Sequence, residues 1–517
     1  MAQVKTSAAS RGAFYAAVTL VVIASLIGNT AVSWLLGPLV LILGIVAIMG
    51  ASLIDTMCVL MFCALALENP SENTGAGMWR SPFHTFGGMI LTHWKTIIGG
   101  PWFFGGMDVA LICAMVVAYL RSSRRTAAER ALGTPRPMVK LAYLSLVTVV
   151  YVFIVGKLRP GGDQSMAVWQ ADKVTYLPIV FLLFGAALQG PQDHIKVGKV
   201  LLLAGVLRAL QAMYVKAVVV VKPDPITGDA TLVYATSHND SITFALAAVV
   251  LCVLLLERAG KKATRLVWIC APILIGGMLA NNRRMVWVQI IFVLAAVYIM
   301  TERNALKRKL ERILMILAPF VALYVAAGWG STAKIFKPVA VIYSAVDTKN
   351  DTSTLWREIE NYDLIETLRN TPIFGLGYGH KFWEVIPLPA VDYALEYYLP
   401  HNSLLGLWAF YGLIGVIGIT SLWAGGVYFA MRGYHHAKQP LDRAAALTAY
   451  GSVFVYLVQC YGDLGLGCWQ GVFTAAPGIA VACRIAVLTG AWSNTPVKGR
   501  VAPARGTAEP GAQASNA

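Results

Sequence analysis

The chain has 517 residues, of which 57% are hydrophobic and only 13% charged, and its mean hydropathy is +0.63; one soluble core cannot hide that much apolar surface. The formal charge of +16 would suggest nucleic acid in a soluble protein, but here the positive residues read better as orientation signals in a membrane, so no nucleic-acid partner is expected. The lipid bilayer is the expected partner.

Apolar runs of roughly 15 to 22 residues recur along the chain, each near what a helix needs to cross about 30 Å of hydrocarbon. None alternates as a barrel strand would. The expected fold is therefore all-α, a polytopic integral membrane protein. Candidate spans lie at 14–28, 31–49, 50–67, 104–120, 140–156, 175–190, 199–219, 239–256, 267–281, 285–301, 313–328, 402–430, 444–460 and 468–489. That makes fourteen transmembrane helices, and the very short turns among the first three extend the range to 12–14. The first run has the basic start of a signal peptide but no clear small-residue cleavage pattern, so it reads as the first anchor. Eight cysteines, mostly inside apolar runs and without a CxxC pair, read as small core residues and not as metal ligands or a disulfide framework.

Fourteen spans put both termini on one side. Lys and Arg number 25 on that face and 9 in the shorter segments of the other, whose long loop holds 6 basic and 9 acidic residues. The positive-inside rule then makes both termini cytoplasmic and turns His401 outward. Three regions follow: N-terminal spans over 1–234, a membrane domain over 235–490 containing a long outward-facing loop at 330–400, and a tail over 491–517. The tail is rich in Pro, Gly, Ala, Ser and Thr, cannot offset its ordering entropy, and is expected to be disordered.

Within the long loop Leu355, Ile359, Tyr362, Ile365 and Leu368 recur at spacings of three and four, one face of an amphipathic helix. Asp351 to Thr354 offer its N-cap and Pro372 ends it. Gly375, Gly377 and Gly379 then read as a tight, backbone-exposed turn, since a GxGxG without a preceding strand is weak evidence for a nucleotide site.

Three outward groups could share a site. His401, at the mouth of the span starting near 402, has an imidazole suited to accept a proton from a hydroxyl; the alternative is an interfacial histidine capping a helix. Arg283 and Arg284 follow Asn281 and Asn282 in the turn between two spans. Paired guanidiniums there suit a diphosphate, or else they snorkel to lipid headgroups or pair with the acidic loop. Arg357 stands among Glu358, Glu360 and Asp363, where a solvated helix face with local ion pairs is the competing reading. Asp55, Asp108, Arg208, Asp463 and Arg484 are weaker candidates for an ion or proton path.

His401-Asn402, nine residues, then Gly412-Leu-Ile-Gly415 resembles the His-[Asn/Ser/Gln]-x9-Gly-x-x-[Gly/Thr/Tyr] pattern of bacterial O-antigen ligases, within the O-antigen ligase and polymerase superfamily. Arg357, Pro372, Gly375 and Gly377 fit the family's Arg, Pro and Gly-x-Gly order, with Asn361 where the family typically has Trp. Arg283 or Arg284 resembles the family's Arg at an outer span boundary. The resemblance covers about 235–430. It implies a metal-independent, cofactor-free glycosyltransferase of the bacterial inner membrane. Such an enzyme moves a glycan from an undecaprenyl diphosphate carrier to an acceptor sugar hydroxyl at the periplasmic face. His401 would act as the base, Arg283, Arg284 and Arg357 would hold the diphosphate, and Asn402, Gly412 and Gly415 would support the motif. The acceptor is lipid A core for a ligase, or a lipid-linked repeat unit for a polymerase of O-antigen or exopolysaccharide, where export machinery is a further conceivable partner. A transporter or flippase of lipid-linked glycans is the alternative from another class, and a structural subunit of an export complex a third.

Overall fold

The structure is a computed structural model describing residues 7–27, 30–67, 84–95, 103–123, 131–218, 235–331, 352–388 and 397–494, with isolated positions at 126, 333–336, 339 and 343. The tail beyond 494 and the cap expected at Asp351 lie outside the described residues.

An apolar chain with no water to bond must satisfy its backbone internally, and the helix does this within one segment. Among the described residues every regular element is helical. In order they are α1 (Ala8–Ile27), α2 (Thr30–Gly50), α3 (Leu53–Ala66), α4 (His84–Leu91), α5 (Gly106–Ser122), α6 (Arg136–Leu158), α7 (Gln164–Ala187) and α8 (Asp193–Val218). There follow α9 (Asp240–Leu256), α10 (Lys261–Asn281), α11 (Arg284–Met300), α12 (Ala305–Gly328), α13 (Thr352–Asn370), α14 (Ser403–His436), α15 (Pro440–Gly462) and α16 (Trp469–Leu488). Each expected span falls on one of these helices, and α4 and α13 are additional. Eight of them, α6, α7, α8, α10, α12, α14, α15 and α16, are long and apolar enough to cross a membrane. The helices α1, α2, α3, α9 and α11 are shorter apolar ones; at 17 residues each, α9 and α11 reach about 25 Å.

The centre is α16, buried along nearly its whole length and packed against α7, α14 and α15. Small residues let these helices approach: a Cβ at Gly478 would lie 1.8 Å from Ser452 Oγ, so α15 and α16 meet backbone to backbone. Around this centre α6 lies on α14, α9 and α11 lie on α15, and α8 bridges to α3 and α10. At the bundle end remote from His401, Arg443 Nε donates to Glu257 at 2.6 Å and its Nη2 to Glu302 at 3.0 Å. Tyr434 Oη donates to Glu257 at 3.0 Å, so one polar cluster ties the ends of α9, α11, α14 and α15. The exception is α12, in which every residue from 312 to 323 is exposed.

The loop helix α13 forms where the spacing predicts and ends before Pro372, but the face it buries is a different one. Leu355, Tyr362 and Ile365 are 42%, 44% and 37% exposed, while Glu360, Asp363, Leu364 and Thr367 are buried at 1% or less. Polar side chains win the inner face because each finds a partner there. Thr367 Oγ1 accepts from the Trp383 amide at 2.8 Å, and Asp363 Oδ1 accepts from the Val385 and Ile386 amides, both at 3.0 Å. A carboxylate that gains two amide donors recovers much of its desolvation cost. Burial still prevails and holds the Asp363 carboxyl above its usual range.

Candidate active site

His401 sits two residues before α14, and the cap of that helix is Asn402, whose Oδ1 accepts from the Leu405 amide at 3.1 Å. The capping alternative for His401 is thereby taken by its neighbour. Five short contacts hold the imidazole and its backbone. The His401 amide donates to Glu360 Oε2 at 3.0 Å, and Nδ1 lies 3.3 Å from Glu360 Oε1. The His401 carbonyl accepts from the Ser403 and Leu464 amides at 3.0 and 2.9 Å. Trp356 meets the imidazole edge to face with ring centroids 5.5 Å apart.

Glu360 is the residue that sequence reasoning missed. It was counted among the local charges of a solvated face, but its side chain is 2% exposed, against 25% for His401. A carboxylate only accepts, so Nδ1 carries the proton and Nε2 presents its lone pair to solvent. The same face of α13 carries Arg357 three residues earlier, at helical-neighbour spacing. Arg357 is half-buried and its Nε finds no hydrogen-bond partner among the described residues. Asn361 accepts from Asn402 Nδ2 at 3.0 Å, so at this position an amide pair clamps α13 to the start of α14. The only available signal was the spacing of Arg357, Glu360 and Asp363, which describes a single helix stripe but not what it faces.

Arg283 and Arg284 flank the start of α11. Asn282 ends α10 in the left-handed region with φ +56°, a conformation asparagine tolerates. Asn281 is fully buried and accepts from the Thr236 amide and hydroxyl at 3.2 and 3.0 Å. This pins the turn to residues 235–239, which lead into α9. From that segment His238 Nε2 lies 3.9 Å from Asp463 Oδ1. Burial first, and then the charges of Arg283 and His401, hold its imidazole below the ordinary range, while Asp463 pulls the other way. Gln459 Nε2 donates to the Asp463 carbonyl at 2.8 Å and to Asn239 Oδ1 at 3.4 Å. The structure thus gathers Arg283, His238, Asp463, His401 and Glu360 at one end of the bundle. Arg284 occupies the first turn of α11 beside them.

The glycine-rich turn is buried, not backbone-exposed. Residues 375–379 thread between α14 and α6: the Leu376 and Gly377 amides donate to the Ala409 and Phe410 carbonyls at 2.9 and 2.8 Å. The amides of Leu413 and Ile414 donate back to the Pro372 and Ile373 carbonyls at 2.9 and 3.4 Å. These groups are free to pair because α14 breaks at Gly412, at φ +64° and ψ −177°. At Gly415 a Cβ would lie 2.3 Å from Tyr411 Cβ, so the second motif glycine serves the same local packing. Beside the break a small apolar cavity is lined by Pro400, Ser403, Phe410, Tyr411, Tyr378 and Leu464.

Most of the weaker candidates have structural partners. Arg208 Nε donates to Asp240 at 3.0 Å in a buried pair joining α8 and α9. Arg484 donates to the carbonyls of Leu132 and Gln189 at 2.6 and 2.7 Å. Asp108 accepts from the Gly105 amide at the start of α5, and Asp55 accepts from the Ser52 hydroxyl and lies 3.3 Å from Lys196. Of the five, only Asp463 stands at the His401 site.

Residues 269–420 match the family model described as O-antigen ligase. Over that stretch the chain is similar to the O-antigen ligase family. The matched stretch contains Arg283, Arg284, Arg357, Glu360, His401, Gly412 and Gly415 and leaves His238 and Asp463 outside. No curated protein matches the chain. The match supports a ligase-like glycosyltransferase activity in general, and the apolar helices a multi-pass membrane protein.

Proposed function

We propose that the protein transfers a glycan from undecaprenyl diphosphate to an acceptor sugar hydroxyl at the periplasmic face of a bacterial inner membrane, with both termini cytoplasmic. The observation that carries the reading is the Glu360–His401 pair at the mouth of α14, inside the matched stretch. His401 Nε2 takes the proton of the acceptor hydroxyl while Glu360 holds the tautomer and stabilises the imidazolium that forms. The acceptor oxygen attacks the anomeric carbon, the bond from that carbon to the diphosphate oxygen breaks, and the diphosphate leaves with the electron pair. Arg283 or Arg284, with Arg357, neutralises the charge that grows on the departing group. A ligase-like acceptor, lipid A core, is held slightly ahead of a lipid-linked repeat unit, because the His-x9-Gly-x-x-Gly pattern leans that way. The domain over 235–490 fits this assignment, since it brings in His238 and Asp463 around the matched stretch.

The test is release of free undecaprenyl diphosphate by purified protein given one lipid-linked repeat unit, with and without lipid A core. Release only with the core marks a ligase, and release without it a polymerase. No release under either condition, with donor binding confirmed, would sink the enzyme reading in favour of a transporter.

Four variants probe the parts. Glu360→Gln keeps the bulk but loses the carboxylate, and turnover should drop by about a hundredfold, the scale of a misoriented catalytic group, with donor affinity unchanged. Wild-type turnover in that variant would remove Glu360 from the mechanism. Arg284→Ala and Arg357→Ala should each weaken donor binding by about tenfold, the worth of one charge-assisted hydrogen bond. Wild-type affinity in both, and in Arg283→Ala, would end the diphosphate assignment.

A further inference from the structure

His238 lies outside the family match and outside every role assigned so far, yet its segment is pinned to the arginine turn through Thr236 and Asn281. Its side chain is 15% exposed, with Nε2 3.9 Å from Asp463 Oδ1, close enough for the charges to interact without a direct hydrogen bond. The charged and titratable groups around it come from every neighbouring element: Asp463 after α15, Arg283 between α10 and α11, His401 before α14, and Asp240 in the first turn of α9. Asp240 is committed to Arg208. The segment carrying His238 is fixed on both sides, by Thr236 on Asn281 and by Asn239 on Gln459, so the backbone that bears the imidazole is held at the site.

Resting on the reading that Arg283 meets the donor's diphosphate, we propose that His238 is a further diphosphate-binding residue, which takes up a proton as the donor binds and donates a hydrogen bond to a phosphate oxygen. In the empty site, burial and the neighbouring Arg283 guanidinium disfavour a charged His238, and its imidazole is held below the ordinary range. A second permanent cation beside Arg283 would be costly without a ligand. A diphosphate reverses the local field, because its negative charge stabilises the imidazolium. The balance is simple: one proton comes from solvent, and neutral imidazole becomes imidazolium paired with phosphate. Asp463 limits the cost by supplying one counter-charge before the ligand arrives. A base whose affinity for protons rises on binding takes up most proton between its free and bound values, so donor affinity must strengthen as pH falls through that window.

The experiment is calorimetry of undecaprenyl diphosphate binding to the purified full-length protein, in two buffers of equal pH and different protonation enthalpy. Wild type should take up as much as one proton per lipid, and so should His401→Ala, which leaves the His238 imidazole in place. His238→Gln should take up none, with affinity about fivefold to tenfold weaker near pH 6.5, the scale of one hydrogen bond to a charged group. The gap should close as pH rises. Asp463→Asn, which removes the counter-charge, should move the uptake window to lower pH, and it serves as a second probe should His238→Gln not fold. Binding without proton uptake, uptake retained in His238→Gln, uptake lost in His401→Ala, or an unmoved window in Asp463→Asn would each overturn the proposal while leaving the diphosphate reading intact. No binding of undecaprenyl diphosphate, or equal affinity for phosphatidylglycerol, would instead overturn the diphosphate reading itself.

Discussion

His401→Ala, expressed at the wild-type level, should lose transfer by about 10²- to 10⁴-fold, the contribution of a positioned general base, while still binding the lipid-linked donor. The loss is expected to fall on turnover because the imidazole is 25% exposed and, among the described residues, its Nε2 has no hydrogen bond that holds the fold. Removing it does cost the Nδ1 contact to Glu360, but the His401 amide keeps its own bond to the same carboxylate, so α13 stays docked on α14. The helix cap survives as well, since it belongs to Asn402. His401→Gln sharpens the result: it can reach Glu360 through its amide but cannot take a proton, so it should be as inactive as the alanine variant. The readout is release of undecaprenyl diphosphate beside the melting temperature of the same preparation. Wild-type release from either variant would dismiss His401 as the base.

Gly412→Ala should fail at folding, not at chemistry. The φ of +64° and ψ of −177° at Gly412 lie in a region open essentially to glycine, at about 1–3 kcal/mol for any other residue. The added Cβ would also lie 2.2 Å from the Ile373 carbonyl oxygen and 2.4 Å from the Gly375 amide nitrogen. Both atoms are backbone, and the strand of chain that carries them is itself bonded to Ala409, Phe410, Leu413 and Ile414, so it cannot step aside without breaking those pairs. The expected outcome is a total loss on the order of 3 kcal/mol or more, seen as a large fall in melting temperature or in recovered monodisperse protein. Near-wild-type stability would show that the break in α14 is not required. The two variants separate the parts of one sequence pattern: on the proposed function the histidine serves the reaction, and the glycine ten residues beyond Asn402 serves the backbone.

That separation also marks where sequence reasoning stopped. The helices were legible because apolar runs of bilayer length leave the backbone no other solution, and α13 was legible because it has a three-and-four spacing and a stop at Pro372. The face of α13 was not legible. Leu355, Tyr362 and Ile365 formed the better apolar stripe, but the buried side was decided by partners that lie far off in the chain: His401 for Glu360, and the Val385 and Ile386 amides for Asp363. The glycine-rich turn was misjudged for the same reason, since its amides are covered by a helix that had to break to receive them.

The sequence by itself determined an all-helical membrane protein, the place of His401 at the mouth of a span, and the order and spacing that tie it to O-antigen ligases. Those properties are written locally, in hydropathy, period and short spacing. Only the tertiary structure decided that Glu360 holds the imidazole, that Asn361 clamps Asn402, and that His238 and Asp463 join Arg283 beside the site. A buried charge takes its meaning from the groups within a few ångströms of it. Here those groups are separated by 41 residues between Glu360 and His401, and by far more between His238 and Asp463, a distance no local pattern can span.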